Sequence, residues 1–97
     1  MYKQSSLNEL HDWLLPSRYI KCEFSNGFVD MTCIMKVCID NFGEGFIRIK
    51  DINDPKNNFF INTIDRHAEI EYNNRMEMYR ILMDGGVKIY ILDINAD

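Results

Sequence analysis

Residues 63–84 read TIDRHAEIEYNNRMEMYRILMD, and the fold depends on whether they form one helix or two strands. Ile64, Ala68, Tyr72, Met76, Tyr79 and Met83 share one helical face, whereas Ala68, Ile70 and Tyr72 also alternate as a strand does. Two features decide for strands. Asn73-Asn74 would sit in mid-helix at a cost in propensity, and Asp84-Gly85-Gly86 ahead of Val87-Lys88-Ile89-Tyr90-Ile91-Leu92 is a hairpin turn signal. The competing reading is an α+β fold with a second helix at 64–84 packed on an antiparallel sheet.

Upstream of this segment the period is plainly two. Ile20, Cys22 and Phe24 alternate with Tyr19, Lys21 and Glu23, and Asn26-Gly27 follows as a hairpin signal. With Asn26 and Gly27 as a two-residue turn, Phe24 pairs with Val29, Cys22 with Met31 and Ile20 with Cys33. All three pairs are apolar, although Glu23 then faces Asp30 as a like-charge pair. The second strand continues through Met35, Val37 and Ile39. Turn residues at Asp40-Asn41-Phe42-Gly43-Glu44-Gly45 interrupt it, Phe46 to Lys50 alternates again, and Asn53-Asp54-Pro55-Lys56-Asn57-Asn58 separates that strand from one starting at Phe59.

The single expected helix lies near the N-terminus. Ser6 and Glu9 have capping-box spacing, Leu7, Leu10 and Leu14 share a face, and Pro16 stops the run, which bounds the helix at about Leu7 to Leu14. Trp13 should anchor its edge. The expectation is therefore a mainly β, marginally α+β, single domain. It comprises an N-terminal helix and a small antiparallel β-barrel or strongly curved sheet of about seven short strands, similar to an SH3-type barrel with an added C-terminal hairpin.

Composition narrows the function classes. The 97 residues carry 11 Lys and Arg against 15 Asp and Glu, a net charge of −4, so nucleic acid is an unfavoured partner. No run approaches the ~20 apolar residues of a membrane span. Three cysteines, Cys22, Cys33 and Cys38, follow an N-terminus that lacks a secretory apolar run, which points to a reducing, cytoplasmic setting. Thirteen isoleucines and ten asparagines suit AT-rich coding sequence, the basis for expecting a bacterial or phage source.

Residues with chemical potential are scattered. Cys22 and Cys33 fall on the core face, and Cys38 shares a face with Lys36. His11 adjoins Asp12, and His67 stands among Asp65, Glu69 and Glu71. Gly43-Glu44-Gly45 has no helix behind it to cradle a phosphate. Asp93-Ile94-Asn95-Ala96-Asp97 begins like a calcium loop but lacks its glycine and distal glutamate. These readings predict no enzyme, no metal and no cofactor.

The apolar surplus is more informative. Phe42 and Phe46 flank the glycine loop, adjacent Phe59 and Phe60 must point to opposite faces, and Tyr90 lies opposite the apolar face of the last strand. Phe42, Phe46, Phe59, Phe60 and Tyr90 are thus candidates for contact with another protein or with a second copy as a homodimer. The function expected is that of a small acidic cytosolic binding module, an inhibitor or regulator acting on another macromolecule. The alternative is a small-ligand or nucleic-acid-binding barrel that stacks on Tyr19, Phe42 or Phe46 beside Arg48 and Lys50.

Overall fold

The computed structural model describes residues 1–16, 18–64 and 67–94. In chain order its elements are β1 (Lys3–Gln4), α1 (Leu7–Leu14), β2 (Tyr19–Ser25), β3 (Asp30–Gly43), β4 (Phe46–Asp51), β5 (Asn58–Asn62), β6 (Ala68–Asn73), β7 (Met78–Met83) and β8 (Val87–Asp93). The strands form one antiparallel sheet in the order β1-β6-β7-β8-β2-β3-β4-β5. The fold is mainly β. The eighth strand, beyond the seven expected, is the two-residue β1, and the sheet curves without closing, so β1 and β5 remain as edges.

The deciding segment is two strands. β6 and β7 pair from Ala68 opposite Met83 to Asn73 opposite Met78, and Asn73 opens the intervening turn. Its buried side-chain Oδ1 accepts the backbone N–H groups of Arg75 at 3.1 Å and Met76 at 3.2 Å. The asparagine that would weaken a helix here satisfies the donors of a turn instead.

The first hairpin corrects the expected register. Its two-residue turn is Gly27-Phe28, one residue later than Asn26-Gly27. Gly27 takes φ +90°, Asn26 donates its backbone N–H to the Val29 carbonyl at 3.3 Å, and Asn26 Oδ1 accepts from the N–H groups of Phe28 and Val29. Phe24 therefore pairs with Met31, Cys22 with Cys33 and Ile20 with Met35. Moving the turn by one residue moves each partner by two, so every inward side chain stays inward and periodicity alone does not separate the two registers. The observed one places Glu23 opposite Thr32 and Asp30 opposite Ser25, which removes the like-charge pair.

β3 also runs further than its turn residues suggested. It continues to Gly43, and only Glu44-Gly45 turns into β4. The register shifts between Ile39 and Asn41, leaving Asp40 as the extra residue of a bulge. Past the bulge the faces exchange, so Phe42 lies on the same face as its buried partner Ile47.

α1 has the expected bounds. The Ser6 Oγ accepts the Glu9 N–H at 3.1 Å, while the Glu9 carboxylate accepts the Ser5 hydroxyl at 2.7 Å instead of completing the capping box. Leu10 and Leu14 are buried among Ile20, Cys22, Met35, Val37, Ile47 and Ile49, and Trp13 packs against this core with its ring 5.1 Å from that of Tyr79. Burial of leucines this complete stabilises by about 1.5–3 kcal/mol each. Arg18 secures the helix end: its Nε donates to the Trp13 carbonyl, its guanidinium lies over the Trp13 ring and its Nη1 meets Asp93 Oδ2 at 2.6 Å. The helix thus covers the end of the curved sheet where β2 and β7 begin and β3 and β8 finish.

Candidate protein-docking surface

Among the described residues no helix lies over the opposite end of the sheet. There the β2–β3 tip lies beside the 84–86 loop, with Ser25 opposite Lys88, the 52–57 connection reaches β3 through Asn57 and Cys33, and inward side chains close what the helix does not. Phe24 of β2 meets Phe59 of β5 edge-on, ring centroids 5.2 Å apart, and both pack on the core. Met31 opposes Phe24, and Val87, which opposes Met83, is half-buried beside them.

Beyond this cluster the hairpin projects apolar side chains into solvent. Phe28 is 96% exposed, Val29 65% and Met31 61%. Phe28 is placed there by the turn: as its second central residue it points off the end of the ladder and contributes nothing to the core. Three concavities share Phe24 and Met31 in their walls. One of about 260 Å³ runs between Val29 and Val87, one of about 300 Å³ lies towards Asn57 and Phe59, and one of about 450 Å³ opens on the outer face towards Glu23, Asp30, Lys88 and Tyr90. An apolar tip beside hollows rimmed by both charge signs has the anatomy of a protein-contact surface, apolar at the centre and polar around it.

The five candidates from sequence fall in three places. Phe59 and Tyr90 reach the hairpin end, the first through its contact with Phe24 and the second as a wall of the outer hollow. Phe46 and Phe60 lie together on the outer face of β4 and β5, rings 5.6 Å apart, with the Arg48 guanidinium 5.2 Å from the Phe60 ring. Phe42 is at the helix end, its ring stacked on that of His11 at 4.0 Å. The stacking platform of the ligand-binding alternative is likewise divided. Tyr19 faces Lys36, Phe42 lies on the inner face apart from Phe46, and Lys50 pairs with Asp40 at 3.1 Å.

No protein-family model, no curated protein and no solved structure matches this chain.

The chemically reactive side chains have structural surroundings. Burial pushes the Cys22 thiol far up from the ordinary cysteine range, with the facing Cys33 adding to the effect, so Cys22 stays protonated and unreactive. Cys33 accepts a hydrogen bond from Asn57 Nδ2 at 2.8 Å, and the Cys38 thiol approaches the Ile39 carbonyl. His11 Nδ1 lies 3.1 Å from Asp12, and exposed His67 lies 3.4 Å from Glu69. Among the described residues no three His, Cys, Asp or Glu side chains converge as metal ligands, and no helix is long and apolar enough to cross a membrane. Asp65 and Asn95 to Asp97, parts of the histidine and calcium-loop readings, lie outside the described residues, while Asp93 is engaged by Arg18.

Sequence reasoning missed Phe28, Val29 and Met31. The signal was present in Asn26-Gly27-Phe28-Val29: two adjacent large apolar residues beside a turn cannot both face inward, so one of them meets solvent. Assigning Val29 to a pair with Phe24 concealed this.

Proposed function

We propose that this protein is a binding module that acts by occupying a surface on another protein, with the free end of the β2–β3 hairpin as its contact face. The observation that supports this reading is the solvent exposure of Phe28, Val29 and Met31 on a hairpin whose stem is buried in the core. Aromatic anchors of this kind carry a disproportionate share of interface energy when a partner pocket desolvates them. The stem holds the tip in place before binding, so little ordering cost remains to be met on association. The net charge of −4 disfavours nucleic acid and leaves a protein as the favoured partner.

The role we assign is regulation or inhibition by steric occupation. The test is affinity capture of the tagged full chain from lysate after nuclease treatment, alongside a Phe28→Asp variant. A single protein retained near stoichiometry by the wild type and lost from the variant supports the reading. Equal retention by both, or retention that disappears with nuclease, refutes it.

A further inference from the structure

A second surface, apart from the hairpin tip, is the outer edge of β5. Residues 47 and 49 of β4 face 61 and 59 of β5, and the ladder continues past the strand with the Thr63 N–H donating to the Gly45 carbonyl at 2.7 Å. Antiparallel pairing alternates, so the odd-numbered residues of β5 bond to β4, and Asn58 and Phe60 turn their N–H and C=O groups outward. Such an edge is a template for another strand.

The two edges of the sheet are treated differently. β1 is blunted: it is two residues long, carries Lys3 and runs directly towards α1. β5 has the sequence NFFIN, with no charge, no proline and no register shift against β4. The strand itself thus lacks the charges, prolines and bulges that keep an edge from pairing.

We infer that the β5 edge pairs with the β5 edge of a second copy of this chain, antiparallel about a two-fold axis at Phe60. The strand is close to self-complementary about that residue. The axis sets Phe60 opposite Phe60, Phe59 opposite Ile61 and an asparagine opposite an asparagine, so apolar meets apolar and no charge meets its like. On the outer face Phe60 is 43% exposed and already holds the Arg48 guanidinium over its ring with Phe46 alongside. Pairing extends this into a row of Arg48, Phe60, Phe60 and Arg48, cross-strand contacts that favour antiparallel association. The two arginines stand three strand spacings apart, about 14 Å, beyond the ~8 Å screening length at physiological salt. A two-fold contact uses each β5 once, so the assembly stops at a dimer.

One strand on each side is a small interface, and it predicts a weak dimer, seen between about 10 μM and 1 mM. Sedimentation equilibrium of the full chain tests it. The expected mass rises with concentration from 11.5 kDa towards twice that value. Phe60→Lys places a charge on the edge and weakens dimerisation at least tenfold, and Phe60→Pro removes an N–H that β4 does not use and leaves a folded monomer. If Phe60→Pro loses its β-sheet circular dichroism, the decision rests on Phe60→Lys and on amide exchange of the wild type, where the Phe60 amide slows with concentration and Ile61 does not. A wild type that stays at monomer mass throughout overturns the inference. So does a dimer that survives Phe60→Lys, or one abolished by Phe28→Asp instead, which would assign self-association to the hairpin tip.

Discussion

The rings of Phe24 and Phe59 meet edge-on at 5.2 Å, although their strands, β2 and β5, are separated in the sheet by β3 and β4. Three strand spacings on a flat sheet amount to about 14 Å. The contact is therefore a direct measure of how sharply the sheet curls, and it closes the end that α1 does not cover. Replacing Phe59 by Ala should cost about 3 kcal/mol in urea denaturation, and a double-mutant cycle with Phe24→Ala should return a coupling of about 0.5–1.5 kcal/mol. Additive single effects would show that the two rings do not stabilise each other.

Phe28 should behave in the opposite way. At 96% exposure it contributes to no core contact, so Phe28→Asp should leave unfolding stability within about 0.5 kcal/mol of wild type. A larger loss would mean that the tip is packed in solution and would remove it as a contact face.

Gly45 turns β3 into β4 with φ +81°, and a Cβ added there would lie 2.5 Å from Ile64 Cγ1. Gly45→Ala meets strain and a clash together and should destabilise by about 1–3 kcal/mol, read as a shift in the denaturation midpoint with an unchanged slope. Ala at Gly27, where φ is +90° and no atom of the described residues lies within 4 Å of the added Cβ, meets the backbone strain alone and should cost less.

The buried thiol makes the fold sensitive to base. Cys22 is raised by burial in the folded state, so above the ordinary cysteine pKa of about 8.5 the unfolded chain releases a proton that the folded one keeps. The unfolded state then binds fewer protons, and stability falls as pH rises, by up to ~1.4 kcal/mol per pH unit from this one group. Tyr79 and Tyr72, also raised by burial, extend the loss above pH ~10. Stability measured from pH 7 to 11 should decline from about pH 8.5, and Cys22→Ala should flatten the first part of the decline. In native protein, alkylation should reach Cys33 and Cys38, both half-buried, before Cys22.

Arg18 joins the helix end to β8 through Trp13 and Asp93. Arg18→Ala removes the ion pair, the ring contact and a donor to a backbone carbonyl, and should cost about 3 kcal/mol by denaturation. Arg18→Lys should recover only part of this, because a lysine cannot present the planar fork that serves two acceptors.

Most of the local structure follows from patterns between near neighbours in the chain. α1 was legible because Ser6, Pro16 and the Leu7, Leu10 and Leu14 spacing act within a few residues of one another, and β2 to β8 were legible from alternation broken by turn residues. Asn73-Asn74 separated two strands from one helix for the same local reason. Packing between strands settled the choices that alternation leaves equal. The turn at Gly27-Phe28 in place of Asn26-Gly27 keeps every inward residue inward, so it was settled by removal of the Glu23–Asp30 repulsion and by Asn26 capping the turn. The bulge at Asp40 carried Phe42 to the inner face beside His11, and the curl of the sheet brought Phe24 to Phe59 and left Phe46 and Phe60 on another surface. The candidate residues were recognisable as surplus apolar side chains, but their division among three places was not, because a period of two specifies which face a residue occupies and not how far that face bends.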